Sequence, residues 1–294
     1  MGKLKASLQT CLISKQKTQK KNDLPEKCLK KPCSSIVIHN YSDGCKSLYP
    51  LRAGSKVLVV GDGNFSYSKA LMQIFGDELV QLVATCYDSE QDLYAKYAEA
   101  AENVAFLRSK ENCCVLFEVD AMVLAKEKRL QHLSFHRIIF NFPHVGKGIK
   151  DKNRNILENQ KLIQAFFINS RSFLLPNDGN NITYGTNSVK KANFKDLEAF
   201  EASLPKGSLS DSEFQPEIHL TLKTGDPYDL WQVKELAKAS GLRCKETFDF
   251  LFEKYPAYRH RRTIGDTILS ECSEEELADQ IIDGKQCKTF VFCQ

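Results

Sequence analysis

Apolar residues along this chain gather in short, β-branched runs, with stretches of helical spacing between them. The first run, 56–60, leads directly into Gly61-Asp62-Gly63-Asn64-Phe65-Ser66. Beyond it, Ala70, Leu71, Ile74 and Phe75 fall on one face of a helix over 67–75. A strand, a glycine turn and a helix are therefore predicted in that order, with Asn64 or Ser66 able to cap the helix. A second strand over 79–87 ends at Asp88, a helix follows over 91–108, and a third strand over 113–119 closes on Asp120. A fourth, 137–142, closes on Asn141-Phe142-Pro143-His144. Further on, Ile218, Leu220 and Leu222 alternate with His219, Thr221 and Lys223, the mark of a half-buried strand. Residues 231–239 read as a helix stopped by Gly241, and 244–252 and 288–293 as the last two strands. Trp231, the only tryptophan, reads as core.

This succession predicts an α/β fold in which the carboxyl ends of parallel strands line one crevice. Glycines at 61 and 63 allow positive φ and a close approach of backbone to ligand. Asp88, 25 residues after Gly63, stands where a nucleoside ribose presents its two hydroxyls. A nicotinamide dinucleotide and S-adenosylmethionine both use an acid there. The dinucleotide fingerprint asks for Gly or Ala at position 66, and Ser66 weakens that choice. Asp120 suits an adenine amino group, and an N-x-P-x loop after the fourth strand suits a base-modifying methyltransferase. Asn141 with the Pro143 backbone can hold the edge of a planar ring. His144 is either a route for the proton of an N–H acceptor or a hydrogen-bonded structural histidine.

Composition narrows the class without choosing the chemistry. At 294 residues, 42% apolar and 27% charged, the chain can bury a large core and is neither wholly disordered nor collagen-like. No apolar run approaches the roughly 20 residues that cross a bilayer, and the amino terminus lacks a long apolar signal segment. Eleven cysteines read as reduced thiols rather than a disulfide framework. The net charge of +4 conceals an asymmetry: residues 1–50 carry ten lysines against Asp23, Glu26 and Asp43, a net of +7 that leaves −3 for the rest. Residues 1–50 are therefore expected to be a basic, largely flexible arm, serving solubility, nuclear import or a grip on phosphates, and 51–294 the folded domain. Within the arm, Cys28, Cys33, His39 and Cys45 are legitimate zinc ligands, though spaced more widely than a zinc knuckle; chance in a cysteine-rich chain is the other reading.

Several segments together resemble one family. GDGNFSYSKAL (61–71), ATCYDS (84–89), VDA (119–121), FNFPHVG (140–146) with KNR (152–154), GDPYDLW (225–231) and YPAYRHRR (255–262) are similar to the eukaryotic large-subunit ribosomal RNA uridine-N3 methyltransferases. The same domain occurs in ferredoxin-fold anticodon-binding domain proteins, and the resemblance spans about 54–293. It implies a Rossmann-like class I methyltransferase fold: a mostly parallel seven-stranded sheet, helices on both faces and an antiparallel last strand. It also implies S-adenosyl-L-methionine as donor and a uridine ring nitrogen as acceptor. Gly61, Asp62, Gly63, Asn64, Phe65 and Ser66 then fall on the donor loop, Asp88 on the ribose, Asp120 with Ala121 beside the adenine, and Asn141, Pro143 and His144 on the catalytic loop. Two features depart from the family: position 62 is Asp where Glu is common, and a segment at about 176–216 lengthens a connection that is usually short.

Two basic clusters flank the expected crevice. Lys147, Lys150, Lys152 and Arg154 follow the FNFPH loop, while Lys254, Arg259, His260, Arg261 and Arg262 are interleaved with Tyr255 and Tyr258. Lys147, Lys152, Arg154, Arg259, Arg261 and Arg262 are expected to meet phosphates, and Tyr255 and Tyr258 to stack on unpaired bases. The partner implied is ribosomal RNA or a pre-ribosome, with no membrane. The basic arm and the resemblance point to the nucleus, in particular the nucleolus, with the cytoplasm as the alternative. A catalytically inactive RNA- or ribosome-binding module of the same fold is the competing function.

Overall fold

The computed structural model describes residues 55–75, 80–175, 215–261 and 286–294. The basic arm with its four candidate zinc ligands, nearly all of the 176–216 segment, and Arg262 lie outside the described residues. Seven strands form one sheet: β1 (Ser55–Val60), β2 (Val80–Thr85), β3 (Cys113–Leu116), β4 (Arg137–Asn141), β5 (Glu217–Lys223), β6 (Arg243–Asp249) and β7 (Cys287–Cys293). Their order is β3-β2-β1-β4-β5-β7-β6. Strands β1 to β5 pair in parallel, and β7 runs antiparallel between β5 and β6. This is the Rossmann-like methyltransferase arrangement.

The continuous apolar run of β1 follows from its place at the centre, where both faces must be covered. Successive side chains of a strand alternate faces, so Val57 and Val59 join one core while Leu58 and Val60 join another. The Val57 side is closed by α1 (Ser66–Phe75), α2 (Glu90–Lys96) and α3 (Ala100–Arg108), through Leu71, Leu93 and Val104. The opposite side is closed by α4 (Lys152–Ser170) and α5 (Val233–Ala239), through Ile163, Phe166, Phe167 and Ala237. Helix α4 begins at Asp151, whose carboxylate accepts the Arg154 N–H at 2.7 Å.

Three elements differ from the sequence pattern. The single helix expected over 91–108 is two, because Tyr97 leaves helical geometry (φ −135°, ψ 112°) and buries its ring in the core beneath α1. The third strand stops at Leu116, since Glu118 takes φ +57° and the chain turns to bond Val119 N–H to the Cys86 carbonyl at 2.9 Å. Strand β5 is not half-buried: His219 and Thr221 are as covered as Ile218 and Leu220, because β5 lies between β4 and β7 with packing on both faces. Thr221 meets Thr289 on β7 at 2.9 Å. Trp231 is buried in the core, as its sequence context indicated.

His219 belongs to a buried charge cluster at the amino end of β5. Glu217 lies 2.9 Å from His219 Nε2, 3.2 Å from Arg137 Nε and 2.7 Å from Lys245 Nζ. Burial would push the Glu217 carboxyl up, but these partners outweigh it and hold the pKa at about 2. Burial pushes His219 down to about 4 against the pull of Glu217. An unfolded chain takes up the imidazole proton near its ordinary pKa of about 6.5, so stability is full above that pH and falls as pH drops toward about 4. The depressed Glu217 adds stability that is present above the ordinary carboxylate range and is lost as pH falls toward about 2. Urea unfolding at pH 7 and pH 4.5 is expected to show a loss on the order of 3 kcal/mol attributable to His219. His219→Gln should flatten that limb, and an unchanged slope would remove His219 as its source.

Candidate active site

The sheet order reverses between β1 and β4, and there a cleft of about 340 Å³ opens at the carboxyl ends of the strands. Backbone strain gathers around it. Phe65 (φ +61°), Glu118 (φ +57°) and Phe142 (φ +50°) adopt left-handed geometry on the loops after β1, β3 and β4. Each costs about 1–3 kcal/mol and persists only where surrounding packing imposes it, a pattern concentrated at functional sites.

The glycine turn is braced by its own side chains. Gly61 has φ +65°, and a Cβ there would sit 2.7 Å from the Phe140 ring. Asp62 is buried and its carboxylate accepts both the N–H and the hydroxyl of Ser68, at 2.7 and 2.6 Å, capping the first turn of α1. Burial pushes Asp62 up to about 6, opposed by those Ser68 bonds. Asn64 is fully engaged: its oxygen accepts from Ser66 N–H and hydroxyl, and its amide donates to Glu99 at 2.8 Å. The Asp62, Asn64 and Ser66 side chains thus brace the loop. Gly63 differs, with open space where a Cβ would stand and no atom nearer than 4.0 Å. The loop therefore offers backbone, bared at Gly63, to whatever occupies the cleft.

Acids stand at the next two strand ends. Asp88 follows β2, lines the cleft, and pairs with Lys96 of α2 at 2.5 Å. Asp120 accepts the Met122 N–H at 2.8 Å and starts a 3-10 turn over Ala121–Lys126. Beside them Tyr87, 68% exposed, and Met122 give the cleft apolar walls suited to a planar ring. Ala121 lies in the same wall.

The end of β4 carries the least satisfied group at the site. Both polar atoms of the Asn141 carboxamide are buried without a hydrogen-bond partner among the described residues. Leaving such groups unpaired costs about 1–3 kcal/mol each, so a ligand that pairs them gains that amount. Pro143 is buried and fixes the turn, whereas His144 is exposed at its edge. His144 Nδ1 accepts the Gly146 N–H at 3.0 Å, which places the proton of the neutral ring on Nε2. Protein packed around the ring pushes its pKa below the usual imidazole range, so it stays neutral at pH 7.

The far wall is the strap of residues 255–261. Arg259 N–H donates to Ser66 Oγ at 2.9 Å, its carbonyl accepts from Asn64, and Arg261 Nε donates to Glu99 at 2.6 Å. Tyr255 and Tyr258, expected at the RNA surface, are instead 2% and 9% exposed. Their rings pack on Tyr67, Phe250 and Phe252, with Phe250–Tyr255 and Phe252–Tyr258 stacked, which anchors both in the core. Arg259, Arg261 and Lys147 do reach the cleft rim. Lys147 pairs with Glu158, and Lys152 with Asp226 on exposed surface; Arg154 is exposed on the first turn of α4. Glu99, Lys96 and Tyr87 were not singled out from sequence, since none belongs to a spacing pattern. His260 was visible only as a member of a basic run.

Residues 58–262 match the model of the BMT5-like family, described as rRNA (uridine-N3-)-methyltransferase BTM5-like. The chain belongs to this family. It is 33% identical over 237 residues to the 25S rRNA (uridine(2634)-N(3))-methyltransferase of Saccharomyces cerevisiae, covering 73% of this chain and 68% of the yeast protein. A shorter stretch of 115 residues is 36% identical to the human ferredoxin-fold anticodon-binding domain-containing protein 1, covering 39% of this chain and 17% of that one. Among solved structures, a SAM dependent methyltransferase from Aquifex aeolicus aligns over 83% of this chain and 85% of its own, with TM-score 0.39 and 12% identity.

The two glycines of the turn separate packing from ligand contact. Gly61→Ala is expected to cost about 2 kcal/mol or more in urea unfolding, from left-handed strain and the clash with Phe140. Gly63→Ala should stay within about 1 kcal/mol of the parent. Equal losses at both positions would contradict the packing described.

Proposed function

We propose that the protein transfers a methyl group from S-adenosylmethionine to N3 of a uridine in large-subunit ribosomal RNA. The observation that carries this reading is the Asn141 carboxamide, without a hydrogen-bond partner among the described residues, at the strand end where a substrate edge is expected. The amide N–H can donate to a carbonyl oxygen that flanks N3 of a uracil ring, which orients the ring and leaves N3 open to the methyl group. The residues present fit the donor as well. The bared backbone at Gly63 admits a close approach, Asp88 can accept from ribose hydroxyls, and Asp120 with Ala121, Tyr87 and Met122 frames a slot for adenine. When bound, that donor supplies an electrophilic methyl on a positively charged sulfur. Gly61, Asp62, Asn64, Phe65 and Ser66 shape the loop that receives it.

On the acceptor side, Asn141 orients the ring, Pro143 holds the turn, and His144 offers its Nε2–H to a base oxygen. N3 of uridine is a pairing position, so the target nucleotide must be unpaired or flipped out of its helix when it reacts. Lys147, Lys152, Arg154, Arg259 and Arg261 supply positive charge around the opening, and Arg262 continues the run in sequence. Binding through such contacts weakens as salt rises. Ribosomal RNA or a pre-ribosome as partner, and a nucleolar site of action, accord with this reading.

Calorimetric titration with S-adenosylmethionine is expected to show one site that Asp88→Ala weakens at least about tenfold, through loss of charged hydrogen bonds. Gly63→Ala, folded as the parent, should also weaken it. In a transfer assay on ribosomal RNA from cells lacking the protein, Asn141→Ala should lower the rate about 100-fold with donor affinity within about twofold. Absence of donor binding in folded protein would favour an RNA-binding module without catalysis.

A further inference from the structure

Helix α4 carries an apolar stripe through Ile156, Leu162, Ile163, Phe166 and Phe167, and Asn159 interrupts it. Asn159 is 0% exposed, at a position whose spacing calls for an apolar side chain. A carboxamide there destabilises the fold unless it is hydrogen-bonded, and both of its ends are paired. Asn159 Nδ2 donates to the Asn155 backbone carbonyl at 2.9 Å and to Asn155 Oδ1 at 3.0 Å, while Asn159 Oδ1 accepts the Val145 N–H at 3.0 Å. The orientation of the amide follows from its partners. Turned over, it would set oxygen against the Asn155 carbonyl and nitrogen against the Val145 N–H.

Val145 lies on the loop that begins at Asn141. At the start of that loop the Phe142 N–H is held by the Thr221 carbonyl of β5 at 2.8 Å. Phe142, Gly146 and Gly148 take positive φ, so the segment forms no regular ladder and its N–H groups depend on individual acceptors. Between the anchors at Phe142 and Val145 stand Pro143 and His144, the residues that the proposed function sets beside the acceptor base. The bond from Gly146 N–H to His144 Nδ1 is internal to the loop, whereas the bond from Val145 to Asn159 ties the loop to α4. Glu158, the preceding residue of the helix, pairs with Lys147 at 3.2 Å, an exposed contact of small worth. Val145, Glu158 and Leu162 line the cleft, and Asn159 is covered beside them.

We propose that Asn159 is a positioning residue for methyl transfer: through the Val145 N–H it sets the Pro143-His144 turn relative to Asn141, and with it the placement of the acceptor ring against the donor methyl. This rests on the function proposed above. Transfer needs the reacting atoms about 3–3.5 Å apart and aligned, so a loop displaced by about 1 Å costs about 100-fold in rate. The hydrogen bonds of Asn159 reach only α4 and this loop, not the turn after β1 or the acids after β2 and β3. Donor binding is therefore expected to be spared.

The bond can be removed from either end. Asn159→Leu completes the apolar stripe but offers Val145 no acceptor. Replacing Val145 by its α-hydroxy acid analogue turns the amide into an ester, which deletes the N–H and leaves α4 unaltered. Each should lower kcat in the transfer assay on ribosomal RNA about 100-fold, with KM for the RNA and affinity for S-adenosylhomocysteine within about twofold of the parent. Combined, they should cost no more than either alone, since both remove one interaction. Asn159→Asp, which keeps an oxygen for Val145, should regain at least about tenfold over Asn159→Leu. Exchange of the Val145 amide hydrogen should be slow in the parent and in Asn159→Asp, and fast in Asn159→Leu. The proposal is overturned by a Val145 amide that exchanges freely in the folded parent, by a kcat loss under about tenfold in the ester variant, by additive losses in the combination, by an Asp variant as slow as the Leu variant, or by a loss that weaker donor binding accounts for. Should Asn159→Leu fail to fold, the ester variant decides the same question. A protected Val145 amide in a parent that transfers no methyl to N3 refutes the underlying function instead, and the role assigned to Asn159 falls with it.

Discussion

Strand β1 pairs in parallel on both sides, with β2 and with β4, and its last residue opens onto a turn that the Phe140 ring limits to glycine. From that constraint the rest of the cleft follows. Burial on both faces makes β1 an unbroken apolar strand and places its end at the centre of the sheet. The reversal of strand order beside it leaves a crevice that no helix fills. The tight packing of Gly61 on Phe140 sets the distance between the loop after β1 and the loop after β4, so the two sides of the proposed reaction are spaced by core packing.

Polar groups at the site divide into those already satisfied and those left open. Asp62, Asn64 and Ser66 have the residue types of ligand contacts, yet each is bonded to protein, bracing the helix start and the strap. A loop that presents backbone to a ligand must hold its shape without that ligand, and these side chains do this. Asn141 is the opposite case: its carboxamide is buried and has no hydrogen-bond partner among the described residues. The strained Phe142 and Phe65 on either side fit the same account, since packing imposes geometry there that the isolated chain would not adopt.

The strap over 255–261 shows how one segment serves two roles. Its tyrosines enter the core and stack with Phe250 and Phe252, which anchors the segment. The residues that follow Tyr258, Arg259, His260 and Arg261, are thereby held at the cleft. Basic charge and an imidazole are presented by a backbone that is itself hydrogen-bonded to the loop after β1. Positive charge around the opening can attract a phosphate backbone.

The succession of strands, the glycine turn, the acids at strand ends and the FNFPH loop were legible in the linear pattern, because local spacing and β-branched runs reflect the burial of a parallel sheet. Family membership was legible too, as motifs are contiguous. What the sequence left open were pairings between distant segments. Nothing in Glu99 announces that it receives both Asn64 and Arg261, nor in Tyr255 and Tyr258 that they face inward, since an aromatic beside arginines suits a core and an RNA surface equally. Likewise, alternation in β5 resembled a half-exposed strand because Thr221 and His219 are polar; only their partners on β7 and at Glu217 make burial tolerable.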